Sequence, residues 1–234
     1  MSGWLSAFDV WARPEPGARQ TRLTRDEIAA AALRIVDAEG FDALSMRRLA
    51  AELGVGTMSL YHYVHTKDEL LALLSDAVMG EMLVPEGELP GDWRAALTAI
   101  ARRTRDTLLR HPWVLDLRDE AAPGPNSIRH YDQSMQAVSG LDVSLREQAD
   151  LVAAVDEYVF GYCMHARETD RAGEAPDFLI EFFDRMIDTG RYPALAAIRD
   201  RYGSRGAFAE IQRARSDPDR FERNLRRLLD GFGC

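Results

Sequence analysis

The sequence predicts an all-α protein in which a small N-terminal three-helix domain precedes a larger helical one, and three observations carry that expectation. Apolar residues recur at three- and four-residue spacing in one segment after another, and no segment sustains the alternation of a strand. Capping residues, prolines and glycines punctuate these segments. At 234 residues, 46% hydrophobic and 29% charged, the chain is longer than a typical single domain and apolar enough to bury a core.

Taken in order, WLSAFDVW has helical spacing, and RPEPGARQTR then breaks it with prolines, a glycine and three arginines. Residues 1–22 are therefore expected to be an arm, partly disordered; its arginines leave open a basic arm laid along phosphates. From Leu23 to Gly40 the signals agree. Thr24 and Glu27 make a capping box, Leu23 and Ile28 a hydrophobic staple, Ile28, Ala31, Ala32, Ile35 and Val36 an apolar stripe, and Gly40 a stop. Ser45 caps a second helix carrying Leu49, Ala50 and Leu53, which Gly54 ends. After Val55-Gly56 a short helix, Thr57 to Tyr63, turns Leu60 and Val64 inward. Thr66 and Glu69 form a second capping box, opening a long helix through Met82. VPEGELPGDW interrupts the chain. Helices are then expected over roughly 92–109, from 112, and over 125–139, 145–171, 177–189 and 218–232.

The helix-turn-helix of residues 45–63 leaves Thr57, Met58, Ser59 and His62 facing out. Small, hydroxylic and aromatic groups suit a surface pressed into a major groove, although an ordinary helical hairpin has the same outline. The net charge of −9 runs against a nucleic-acid partner only globally. Between Arg19 and Lys67, seven basic residues (19, 22, 25, 34, 47, 48 and 67) face six acidic ones (26, 27, 37, 39, 42 and 52), so the acid lies mostly elsewhere. Lys67 opens a helix, an end whose dipole disfavours a cation; a phosphate bound there removes the conflict, as does compensation by Asp68 and Glu69.

SMRRLAAELGV, followed by LYHYV and then HTKDEL, closely resembles the DNA-binding domain of the TetR family of bacterial transcription regulators. More weakly, RHPWVLDL, GPNSIRHYDQSM and FERNLRRLLDGF resemble the regulatory domain of its tetracycline-repressor branch. The resemblance implies a DNA-binding domain over 23–68 and an effector-binding and dimerisation domain over 69–234. The DNA-contacting set it implies is Ser45, Arg47, Arg48, Thr57, Met58, Ser59, Tyr61, His62 and Lys67. Within it Arg47 reads a base, Thr57, Met58 and Ser59 set neighbouring positions, and Lys67, Tyr61 and His62 hold phosphates. The implied function is a repressor that a small effector releases from an inverted-repeat operator.

Dimer contacts are expected on the helix after Leu145 and on the last helix, where Phe221, Leu225, Leu228, Leu229 and Phe232 form one stripe. For the effector, a largely apolar compound of aromatic or polycyclic type, Trp113, Tyr131, Met135, Tyr158 and Tyr162 are the expected lining. No cofactor or metal is expected. Cys163 and Cys234 make no disulfide framework, the histidines lack a third ligand, and neither a phosphate loop nor a nucleophile elbow occurs. Without a basic n-region or an uninterrupted apolar span, the chain is expected in the cytoplasm, away from membranes. A small-molecule-binding enzyme or a protein-binding adaptor is the alternative; neither accounts for the outward face of Thr57 to His62.

Overall fold

The structure is a computed structural model, described over residues 7–14, 23–117, 122–169 and 175–232, and these residues form helices with no strand. A single helical turn, α1 (Asp9–Ala12), precedes the head, which comprises α2 (Arg25–Glu39), a 3-10 turn (Phe41–Ala43), α3 (Met46–Leu53) and α4 (Thr57–Leu60). The long α5 (Lys67–Met82) leads into α6 (Trp93–Arg110), the short α7 (Val114–Leu117), α8 (Pro125–Val138) and α9 (Leu145–Thr169). Four more helices follow: α10 (Asp177–Ile187), α11 (Pro193–Tyr202), α12 (Ser204–Ser216) and α13 (Arg220–Gly231).

Local chemistry builds the head. The box at Thr24 closes in both directions, Glu27 N–H donating to Thr24 Oγ1 at 3.1 Å and Thr24 N–H to Glu27 at 2.7 Å. Ser45 accepts the N–H of Arg48, and Gly54 ends α3 in the left-handed conformation at φ 67°, where a β-carbon would be strained. Ile28, Ile35, Leu49, Leu60, Tyr63 and Val64 are buried in one core with Leu70, Leu73 and Leu74 of α5. Head and connecting helix thus share their apolar interior.

Of the arm expected over residues 1–22, residues 7–14 are described and pack on the head, while 1–6 and 15–22 lie outside the described residues. Ala7 and Val10 are fully buried in the head core, with Phe8 and Trp11 packed alongside. The apolar spacing of AFDVW is satisfied here by a face the head would otherwise expose. Arg19 and Arg22 lie outside the described residues, as does Cys234; Cys163 is buried and free.

The box at Thr66 is half made. Thr66 accepts the N–H of Glu69, but the Glu69 carboxylate takes the His65 N–H at 2.7 Å and Arg13 at 2.6 Å instead of reaching back to Thr66. A buried carboxylate needs a cation more than it needs a second amide, and the leader supplies one.

By compactness the chain divides into Met1–Phe160 and Gly161–Cys234, a boundary inside α9. The expected division at 68/69 lies in the first turn of α5, which packs on α2 of the head and on α6 and α8. Within the C-terminal unit, α11 and α12 fill an interval for which no helix is expected. Pro193 starts the first, and Gly203 at φ 69° separates it from the second. The stripe on α13 is already half covered by the chain itself: Phe221, Leu225 and Leu229 are buried, with Tyr162 edge-on to Phe221 at 4.9 Å.

Candidate nucleic-acid interface

The head presents a compact outer surface. Met58, 76% exposed, stands out from α4; Thr57 and Ser59 flank it half-buried, and Tyr61 and His62 follow, exposed, in the turn after the helix. Burial of Leu60, Tyr63 and Val64 fixes which side of this short segment faces out. Arg47 is exposed on α3, and Lys67 is exposed at the first turn of α5 with Nζ 5.7 Å from the Phe41 ring centroid. Because Glu69 is turned inward, only Asp68 remains on the surface to offset the lysine there.

Arg48 is differently placed. It bridges Glu39 at 2.7 Å and Glu52 at 2.9 Å, bracing α3 against the end of α2; its hydrogen bonds to these carboxylates raise its pKa, and Arg48 in turn lowers that of Glu52. Ser45 spends its hydroxyl oxygen on the cap of α3. Of the nine expected contacts, Arg47, Thr57, Met58, Ser59, Tyr61, His62 and Lys67 have no side-chain hydrogen bond or ion pair within the described residues, while Ser45 and Arg48 are engaged.

Behind this surface the head is tied to the body by polar contacts. His111 is buried after α6, with Nδ1 2.8 Å from Asp37 of the head and Nε2 3.2 Å from Glu81 of α5. The Trp113 indole N–H donates to the same Asp37 oxygen at 2.9 Å, and Arg110 pairs with Glu81. Asp76, buried at 5% exposure, accepts the N–H groups of Asn126 at 2.9 Å and Ser127 at 3.2 Å, the free donors at the start of α8. Burial raises its pKa, against the opposing pull of those hydrogen bonds.

The residues expected to line an effector cavity are dispersed in role. Trp113 packs against the head core and is held by Asp37, Tyr131 is 54% exposed, Met135 and Tyr158 are half-buried, and Tyr162 packs on Phe221. A cavity of about 540 Å³ that none of them lines lies in the C-terminal unit. Leu179, Phe183, Ile187, Ile198, Phe208 and Ile211 form its apolar walls, and Gln212 and Arg215 add polar groups. Sequence reasoning missed it because two of its three helices were not expected. The available signal was Pro193 followed by apolar residues at 195, 198, 207, 208 and 211.

A three-helix head with an exposed helix-turn-helix face, followed by a long helix and further helices, has the outline of a DNA-binding regulator. Comparison with known proteins agrees in detail. Residues 28–74 match the model of bacterial regulatory proteins of the tetR family, and residues 85–233 match that of the tetracyclin repressor-like C-terminal domain. The HTH-type transcriptional repressor DrrR1 of Streptomyces coeruleorubidus is 35% identical over 236 residues, covering 96% of this chain and 82% of the relative. The repressor Rv1353c of Mycobacterium tuberculosis is 30% identical over 93% of this chain and 85% of its own. Among solved structures, ActR of Streptomyces coelicolor in complex with (S)-DNPA superposes with a TM-score of 0.68 at 32% identity, covering 91% of this chain and 98% of ActR. The chain belongs to the TetR family of transcriptional regulators.

Among the described residues, no helix is long and apolar enough to cross a membrane, and no three His, Cys, Asp or Glu side chains are grouped to hold a metal ion.

Proposed function

We propose that the protein is a homodimeric, non-enzymatic repressor of the cytoplasm that binds an inverted-repeat operator and is released by a small aromatic effector. The observation that carries the reading is the outward set of exposed Arg47 and Met58 with half-buried Thr57 and Ser59, whose side chains have no hydrogen bond or ion pair among the described residues. Arg47 grips a guanine through O6 and N7, the residues of α4 set adjacent positions, and Lys67, Tyr61 and His62 hold phosphates. A four-residue helix spans only a few base pairs, so specificity requires two heads at fixed spacing and hence a dimer. For the effector, the support is chemical and comparative. The 540 Å³ cavity is large enough for a multi-ring compound, and ActR has been solved with actinorhodin at a TM-score of 0.63 and 28% identity.

The test is selection of duplexes from a genomic pool, followed by salt-dependent binding to whatever is enriched. Recovery of an inverted repeat is expected. Arg47→Ala should cost about 1–3 kcal/mol and relax preference at one position in each half-site. No enriched sequence, or a loss in Arg47→Ala that is uniform over all DNA, contradicts the base-reading role.

A further inference from the structure

The leader carries a polar anchor as well as its buried apolar residues. Arg13 donates through one guanidinium nitrogen to Glu69 at 2.6 Å and through another to Nδ1 of His65, while its own carbonyl accepts from Arg25 at 2.8 Å. Glu69 has a side chain only 3% exposed, and its same oxygen also takes the His65 N–H. These contacts converge on residues 65–69, the corner where the reading segment ends and the first turn of α5 begins. Lys67 projects outward from that corner. On the other side, Trp11 lies against Gly124, where an added β-carbon would come within 2.6 Å of the indole and 2.4 Å of Asp76. The leader therefore touches the head core, the corner bearing Lys67 and the start of α8. Residues 7–14 lie outside both matched family regions, 28–74 and 85–233.

We infer that the leader is a strut for DNA binding and that Arg13 is a positioning residue, setting the His65–Lys67 corner through Glu69 rather than touching DNA itself. The geometry makes this specific. A guanidinium with two fixed acceptors and a buried carboxylate with two fixed donors hold the corner in one orientation, whereas an apolar contact would let it slide. Arg13 is also engaged on its inward side, with 29% of its side chain exposed. The inference rests on the reading that Lys67 holds a phosphate, because only then does the orientation of the corner enter DNA affinity.

The experiment is a double-mutant cycle on the full chain with the enriched duplex, using Arg13→Gln, Glu69→Gln and the pair, with thermal melts in parallel. Each single change should weaken binding about tenfold. The double variant should lose no more than either single one, because both break the same link. The salt slope should equal that of the unaltered protein, since no phosphate contact is removed. Arg13→Lys, which keeps a cation for Glu69 but cannot span both acceptors, should recover part of the affinity and serves if the glutamine variants do not fold. Additive losses, affinity within about twofold of the unaltered protein, or a slope lower by about one for Arg13→Gln would overturn the inference, the last by making Arg13 itself a phosphate contact. If the unaltered protein enriches no duplex, the proposed function fails instead, and the two failures remain distinct.

Discussion

Replacing Asp76 with alanine removes one side chain from α5 and leaves two donors stranded on another helix. The first turn of α8 has Gly124 at its N-cap with no side-chain cap, and Pro125, which has no N–H. The next two amides, Asn126 and Ser127, both donate to Asp76 Oδ1. Each buried donor left unpaired costs about 1–3 kcal/mol, and loss of an N-capping oxygen about 0.5–2 kcal/mol, two descriptions of the same bonds that are not to be added. Relief of the burial penalty on the carboxylate, the main cause of its raised pKa, offsets part of this. A net loss of about 2–3 kcal/mol follows, or about 5–10 °C in Tm for a chain of this size. Asp76→Asn keeps an acceptor oxygen and should lose about 1 kcal/mol or less at neutral pH. The sign of the pH dependence separates the variants further. A folded pKa raised above the unfolded value, about 3.9, gives a contribution fully present below that value and lost as pH rises through the folded pKa. The advantage of the unaltered protein over Asp76→Asn should therefore shrink as pH rises from about 4. Thermal melts at several pH values measure both effects. An alanine variant within about 1 kcal/mol of the unaltered protein would refute the capping role, and an advantage over asparagine that grows with pH would show that those hydrogen bonds outweigh burial at Asp76.

Two further outcomes are expected. Arg48→Ala should leave the salt slope of DNA binding unchanged, because its guanidinium is already paired with Glu39 and Glu52; Lys67→Ala should lower the slope by about one, and titration of one duplex across salt concentrations distinguishes them. Burial lowers the pKa of His130, whose Nε2 lies 3.0 Å from Thr104 Oγ1, so its contribution to stability is present above the unfolded value near 6.5 and lost as pH falls through the folded one. His130→Gln should flatten that part of the stability profile in urea titrations from pH 7 to 5; an unchanged slope there would remove His130 as its source.

What could be read from the sequence follows the range of the interactions. The box at Thr24 and the glycine stop at Gly54 depend on residues three or four apart, and the structure has them as expected. The outward side of α4 was legible for the same reason, since Leu60 and Val64 fix the inward one. Arg48 was not, because its bond to Glu39 spans a loop and turns a surface cation into a brace. Nor could the bond of Trp113 be read, since its N–H goes to Asp37, 76 residues away in sequence. The half-made box at Thr66 shows how one long-range cation changes a local motif without ending the helix it starts.

The connecting helix shows why these long-range pairs matter to a regulator. It is apolar on most sides, with Leu70, Leu71, Leu73, Leu74, Val78 and Met82 buried, and contacts of that kind are non-directional. Glu69, Asp76 and Glu81 interrupt the apolar surface, and each holds a different element: Glu69 the leader and the reading corner, Asp76 the start of α8, Glu81 the corner at His111. Glu69 and Asp76 are seven residues apart, close to two turns, and so share a face. A hydrogen-bonded carboxylate has few good geometries, so a helix held at these points settles into discrete arrangements rather than a continuum. An effector shifts such a system only by its difference in affinity between two arrangements, and the same difference must appear as reduced effector affinity when operator is bound. Because His111 and Trp113 both meet Asp37 of the head, a displacement of that corner cannot leave the head where it was unless those bonds break. Beside the shared apolar core, body and head are thus joined by polar bonds that the hydrophobic pattern of the sequence does not display.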